Sequence, residues 1–402
     1  MPVRNCLDLP DGWTLEEILT VKQIEGIRPI WQALEDAESR PVLESDLERY
    51  LSVLKGVGET QPYIFLLHLE DQPRAMVIGR LDSEILPIRL GYKTILRLKL
   101  KCFSVVYGGL LGQPDEQVSA MLLHGLAGIL RQRKADCVGF NHLPTDSPFY
   151  RQISRQVPFL CRNHFPVIDI HWRMEMPETI DAFFQRLSKK HKANLRRTIR
   201  NFEEQYQGKI KLIKFDENAD IDFLSKDAET ISVKTYQHSI DAGFSAGPLT
   251  KSILKTDASL NRLMFSLFYV AEQPCAFQWG TVLKDTYFLE KIGYDPQWTQ
   301  QGIGNILFIK NLEQLCSDSS IKYIDFGFGD AQYKRSSSNE SWPEAKKTYL
   351  FALRPYPLFV NGLISLNGAL TLGLTWVFKK LGVYARIKRV WRGKLKNTNP
   401  NS

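Results

Sequence analysis

Two glycines open a helix at a place where glycine normally weakens one. In TQQGIGN, Gly302 and Gly304 immediately precede a long apolar-periodic segment, and the strand-like run DTYFLEKIGY comes just before them. A strand, a glycine-containing turn and a helix start together make an anion site. The first turn of a helix has unpaired N–H groups and the positive end of its dipole, and glycine removes the side chains that would hold a phosphate away. The turn lacks the Lys-Ser/Thr of a P-loop and the six-residue glycine spacing of the dinucleotide fingerprint. On these residues alone, glycines that merely fit the turn are the competing explanation.

Further groups able to do chemistry flank this turn. Alternation along its strand puts Glu290 on the same face as Phe288 and Ile292, an unusual place for a carboxylate. The alternative is a solvent-facing or locally paired side chain. The next strand-like run ends YIDFGFGDAQYKR. There Asp325, between Ile324 and Phe326, is placed to brace a neighbouring backbone turn. Asp330 follows two glycines at the C-terminal end of a strand, where α/β sites gather, and is a candidate for amine binding or base work. Tyr333, Lys334 and Arg335 also form a common surface triplet. Upstream, Lys189, Lys190, Lys192, Arg196, Arg197 and Arg200 crowd one helical segment over more than one face, as solvated surface or as an anion-recognition patch. The seven histidines show no metal-ligand spacing, and there is no Gly-x-Ser-x-Gly elbow, so neither a metal site nor a serine hydrolase is expected.

The elements that must position these residues read as mixed α/β. A helical start covers TLEEILTVKQIE and VLESDLERYLSVLKG. A hairpin turning at Glu70–Pro73, a strand FSVVYGGLLG, a helix from about Asp115 to Arg133 and a strand Ala135–Leu143 follow. NHFPVIDIHW leads into a second series: helices through ETIDAFFQRLSKKHKANLRRTIRNFEEQY, a strand KIKLIKF, and a hairpin turning at Glu272–Pro274. The strand, glycine turn and helix described above come next, and then IKYIDFG. Hairpin, strand, helix, strand occurs twice. Two similar units are expected over 1–160 and 161–350, with a helical extension over 351–402.

Composition sets the outer limits. Of 402 residues, 44% are apolar and 24% charged, and 52 basic against 44 acidic side chains leave +8, a globular chain biased towards anionic partners. The six cysteines are scattered singly and the N-terminus has no apolar h-region, so a cytoplasmic protein with reduced thiols is expected. The uncharged stretch Tyr356–Phe378 is about long enough to cross a bilayer and is followed by Lys379 and Lys380. Asn361, Asn367 and several glycines dilute it towards a buried or interfacial helix that touches a membrane peripherally.

Tyr294-Asp295-Pro296, a polar loop, Gly302-x-Gly304 and an apolar helix make one half of a longer pattern. The other half is a strand ending Asp325-x-Gly327-x-Gly329-Asp330 and then Tyr333-Lys334. Together these resemble acyltransferases of the GNAT superfamily, in its CelD-like and FemAB-related branch, and the basic helix LSKKHKANLRRTIRNFEE adds to the likeness. The resemblance covers about Ile168 to Lys347 and implies two tandem GNAT-like domains with mixed central sheets flanked by helices. The N-terminal copy would be degenerate, with no glycine loop before its helix at Asp115. It also implies an acyl-CoA, such as acetyl-CoA, as cosubstrate, and no metal. The diphosphate would rest on the N–H groups from Gly302 through Ile303 and Gly304 to Asn305, beside Gln301. The pantetheine arm would run past Ile292 between the parting strands Tyr287–Tyr294 and Ile321–Gly327, as an extra strand.

By the same resemblance Glu290 would be the base and Tyr333 the proton donor to the departing sulfur. Lys334 would neutralise phosphate or an oxyanion, and Lys189, Lys190 and Arg196 would meet an anionic acceptor or the adenosine 3′-phosphate. The acceptor would be an amine or hydroxyl of a small molecule, a sugar or a cell-envelope or exopolysaccharide precursor. One departure is Thr299, where loops of this superfamily commonly carry Gln or Arg. A rival within the fold is a FemAB-like aminoacyl-tRNA-dependent transferase. FemAB proteins usually carry a long coiled-coil insertion, which this sequence lacks. A rival of another class is a non-catalytic polysaccharide or membrane assembly factor.

Overall fold

The computed structural model describes residues 9–58, 60–90, 93–112, 114–215, 220–235, 243–329, 331–380 and 382. Its first element corrects the sequence reading. WTLEEI is extended, with Trp13 and Leu15 buried and Thr14 and Glu16 less so, and it pairs antiparallel with the next strand from Trp13↔Leu69 to Ile18↔Ile64. Ladder pairing and the burial of Trp13, Leu15 and Ile18 outweigh the helical preference of Leu and Glu. The chain therefore starts with β1 (Trp13–Ile18), and helix begins at α1 (Val21–Gly26), capped by Thr20.

There follow α2 (Arg28–Asp36), α3 (Leu47–Val57), β2 (Gln61–Leu69), β3 (Gln72–Leu90), β4 (Lys93–Leu111), α4 (Glu116–Arg131), β5 (Cys137–Pro144) and α5 (Pro148–Gln156). Next are β6 (Ile168–Glu175), α6 (Ile180–Arg186), α7 (Lys189–Gln205), β7 (Ile210–Lys214), α8 (Ile221–Ser232) and α9 (Pro248–Ser259). The chain continues with β8 (Leu263–Val270), β9 (Gln273–Leu283), β10 (Thr286–Tyr294), α10 (Ile303–Cys316), β11 (Tyr323–Phe328) and α11 (Gln332–Ser337). It ends with β12 (Glu340–Phe351) and α12 (Pro355–Lys380).

Two compact units result. One holds the chain to Asp169 and again from Pro343, the other Ile170–Trp342. In the first unit the strand order is β1-β2-β3-β4-β5-β12, with α4 and α5 covering one face and α1 to α3 the other. The β3–β4 hairpin is far longer than FSVVYGGLLG suggested, because ILRLKLKC alternates. Its Leu86, Leu98 and Leu100 form a cluster with Val360, Leu363 and Ile364 of α12. In the second unit the order is β6-β11-β10-β9-β8-β7. Residues of α6, α7 and α10 fill one side, and Phe244 packs on Phe265, Phe277 and Trp279.

Both units contain the predicted string of hairpin, strand, helix and strand, and in each the third strand joins the hairpin antiparallel while the last pairs with it in parallel. Their hairpins even turn alike. Glu70 and Asp71 (φ 51° and 64°) and Ala271 and Glu272 (φ 49° and 62°) hold positive φ at both central positions, the twist that matches a two-residue hairpin. The turns thus lie one or two residues earlier than the Gln-Pro signals suggested.

Gly280 tests the packing of β9 on β10. A Cβ there would lie 2.2 Å from the ring of the buried Tyr287. Gly280→Ala is expected to cost about 1–3 kcal/mol in a denaturant titration through overpacking. Gly26→Ala, with nothing within 4 Å of the added methyl, should be neutral or slightly stabilising.

Candidate active site

β10 and β11 pair in parallel at three positions, Thr286↔Tyr323, Tyr287↔Ile324 and Phe288↔Asp325, and then part. Each bends on its other neighbour. β10 carries an extra residue, Glu290, between Leu289↔Gly280 and Lys291↔Trp279. β11 carries Phe326 between Asp325↔Arg173 and Gly327↔Trp172. A bulge kinks its strand and adds twist. Two of them just past the last shared pair open a slot in the middle of the sheet, edged by backbone of Lys291–Tyr294 and of Gly327–Phe328.

At the end of β10 the chain turns on Asp295. Its carboxylate accepts from the Gln297 N–H (3.1 Å) and pairs with Lys234 (2.6 Å). Gly302 caps α10 at φ 68°. The Gly302 N–H donates to the Thr299 carbonyl, and the Asn305 and Ile306 N–H groups donate to the Gly302 carbonyl (3.0 and 3.2 Å). Of the four donors expected to cradle a diphosphate, Gly302 and Asn305 are thus engaged inside the loop. The N–H groups of Ile303 and Gly304 bond to no carbonyl among the described residues, and no acid stands in the first turn. The glycines also serve packing. A Cβ on Gly304 would lie 2.9 Å from the Tyr294 ring, and one on Gly302 would lie 3.0 Å from the methyl of Thr198 in α7. The buried Gln301 Oε1 has no hydrogen-bond partner among the described residues.

Glu290, the bulged residue, is half-buried. The Thr281 hydroxyl lies 2.6 Å from its Oε1 and 2.9 Å from the carboxylate of Asp257, a buried residue of α9. One hydroxyl hydrogen serves only one carboxylate at a time. Burial lowers the pKa of the adjacent Lys291, with Glu290 opposing. Ile292 pairs with Gln278 on β9 and is beyond the last β11 pair.

Across the slot, Asp325 has a partner that the sequence reading missed. The Nε2 of His171 lies 2.7 and 2.8 Å from the two Asp325 oxygens, and the Gly327 N–H donates to the same carboxylate (2.7 Å). His171 is buried, stacked on Trp342 at 4.4 Å and edge-on to Phe328. Two residues on, Arg173 pairs with Glu340 and lies over the Tyr323 ring. His171 and Arg173, two apart on one face of a strand, were the available signal.

Lys334 turns inward. Its ammonium donates to the carbonyls of Phe326 and Phe328, where the bulge takes β11 off its ladder. Burial lowers its pKa to about 8, with Asp325 opposing. It braces the slot wall. Tyr333 packs its ring near Phe326 and Phe308, at 6.0 and 6.4 Å. Lys189 and Lys190 stand exposed in the first turn of α7. Arg196 is held by Asp181 (2.6 Å) and the Phe184 ring (4.8 Å), tying α6 to α7. Asp330 lies outside the described residues.

Against known proteins, residues 189–335 match the acetyltransferase (GNAT) domain family. FemX superposes with a TM-score of 0.57 at 9% identity, covering 86% of this chain and 100% of its own. A tandem GNAT protein from the clavulanic acid biosynthesis pathway superposes at 0.51 and 9% identity, covering 85% and 99%. No curated protein matches the sequence.

The desolvated Lys334 has a measurable signature. Its pKa is about 8 when folded and ordinarily 10.5, so between those values the unfolded chain holds a proton that the folded chain has released. Raising pH through that window therefore favours folding, by up to about 3 kcal/mol. The unfolding free energy of the wild type minus that of Lys334→Met should rise from pH 8 to pH 10. A flat difference would show an ammonium that is fully hydrated.

Proposed function

We propose that this GNAT-superfamily protein, which shares its tandem fold with FemX, transfers an acyl group from acyl-CoA to an amine or hydroxyl acceptor in its second unit. The observation that carries this reading is the parting of β10 and β11 after Phe288 and Asp325, beside a helix tip with two unengaged N–H groups and no acid. A diphosphate fits such a tip. Pantetheine amides fit the edge of β10 past Phe288 as an added strand.

The chemistry is direct attack. The acceptor nitrogen bonds to the thioester carbon, the C–S bond breaks, the ammonium proton passes to a carboxylate and the thiolate takes a proton. Glu290, oriented by Thr281, is assigned as base, directly or through water, and Tyr333 as donor to the sulfur. Asp330 is assigned to the acceptor amine. Asp325 with His171 and Lys334 hold the β11 wall. Acetyl-CoA is the first donor to try.

One observation favours a second reading, an aminoacyl-tRNA donor. The exposed basic face of α7 (Lys189, Lys190, Arg197 and Arg200) belongs to the helix whose Thr198 abuts the glycine loop. Phosphate contacts of that kind would make binding steeply salt-dependent.

Calorimetric titration with acetyl-CoA and a longer acyl-CoA is the test. Saturable binding is expected, and Gly302→Val, forced to φ 68° and against Thr198, should weaken it about tenfold or more while circular dichroism stays native. No acyl-CoA binding, with charged tRNA binding instead, would select the second reading. Glu290→Gln should lower kcat about 100-fold or more at nearly unchanged donor affinity. An unchanged kcat removes Glu290 from the reaction.

A further inference from the structure

The first unit leaves most of the apolar surface of α12 outside its core. The inner side of α12 is fixed. Val360 is fully buried, and the Asn361 amide donates to the carbonyls of Leu160 and Arg162, at 2.9 Å each. The Asn367 amide donates to the Arg89 carbonyl. On the side turned away, Tyr356, Phe359, Leu366, Leu370 and Val377 recur at helical spacing, and all are exposed. Past Leu370, among the described residues, Leu372, Leu374 and Trp376 are exposed as well. An apolar face left exposed along a helix whose other side is attached suits the boundary layer of a lipid surface.

By length and composition Pro355–Val377 can cross a membrane. Its attachment argues against that. Gly368 still packs on Phe165, so only the part after it clears the unit, about 14 Å to Val377 at 1.5 Å per residue, against a hydrocarbon core of about 30 Å. Charge specifies what meets the surface. The carbonyls of Arg89 and Lys99 bond to Asn367 and Tyr356, and the side chains of Arg89, Arg97 and Lys99 are exposed on the adjoining hairpin, Arg97 and Lys99 on the face opposite Leu98 and Leu100. The Lys380 ammonium sits 5.0 Å over the Trp376 ring. No acidic residue follows Glu344 in the sequence. A second copy of the chain would bring the same positive charge to such a surface, whereas anionic lipid neutralises it.

We propose that α12 and the adjoining edge of the β3–β4 hairpin form a docking surface for an anionic bilayer, with the helix lying in the interfacial plane. This goes beyond the acyltransferase reading and does not depend on it.

The test is co-flotation of the full chain with vesicles of phosphatidylcholine, with and without phosphatidylglycerol, at low and high salt. Binding is expected to the anionic vesicles and to weaken with salt. Leu366→Glu/Leu370→Glu and, separately, Arg97→Glu/Lys99→Glu should each lower the bound fraction about tenfold or more. All four positions are exposed, and native circular dichroism of the variants keeps the result interpretable. Absence of flotation, or flotation that neither variant changes, overturns the proposal. So does a dimer seen by light scattering that Leu366→Glu/Leu370→Glu dissolves while vesicles bind nothing.

Discussion

The slot in the second unit follows from a parallel strand pair that stops early. Three shared positions hold β10 to β11. Past them each strand follows its other neighbour, and the bulges at Glu290 and Phe326 aim the two apart. A parallel pair in mid-sheet would otherwise continue its ladder, since unpaired backbone groups in a sheet are costly to leave unsatisfied. The slot therefore has to be held open by bonds made elsewhere.

Those bonds can be named. On the β11 side, Lys334 takes up the carbonyls of Phe326 and Phe328, and Asp325 takes up the Gly327 N–H while binding His171. The strand groups lost from the ladder are thus satisfied by side chains. On the β10 side, the Gln278 amide donates to the Tyr287 hydroxyl, whose ring fills the space over Gly280. Thr281 reaches Glu290 at the bulge itself. The depressed pKa of Lys334 is the cost of this arrangement, because a cation buried against two carbonyls loses more hydration than those carbonyls return.

Much of this was legible in the sequence, and the gaps have physical causes. The order of strands and helices in the second unit, the glycine-capped α10 and the closing Asp-x-Gly-x-Gly strand are local signals, and local signals survive without coordinates. His171 with Asp325 was not legible, because 154 residues separate two members of one contact and only strand pairing brings them together. Lys334 looked like an outward cation because a Tyr-Lys-Arg triplet says nothing about which carbonyls a bulge has freed. WTLEEI looked helical because its partner strand begins more than 40 residues later.

The two units repeat one string of elements, yet helix-start electrostatics set them apart. In the second unit α10 begins on a glycine, with two N–H groups that bond to no carbonyl among the described residues and no acid in its first turn. In the first unit the corresponding α4 begins on Asp115, whose carboxylate takes the Val118 N–H (2.8 Å), and Glu116 follows in the first turn. That helix tip already carries its own anion. β4 and β5 also pair in parallel only from Cys102↔Cys137 to Val105↔Phe140, but the strand then kinks at Gly108, against which Val42 packs so closely that a Cβ would meet it at 2.5 Å. The cavity of about 460 Å³ that survives there is lined by the acids Glu35, Glu38 and Asp115, and also by Arg40 and His142. A diphosphate would meet carboxylates in the first unit and bare N–H groups in the second. One fold, used twice in a chain, thus differs in its fitness for an anion through the residues at one helix start and those that line the space before it.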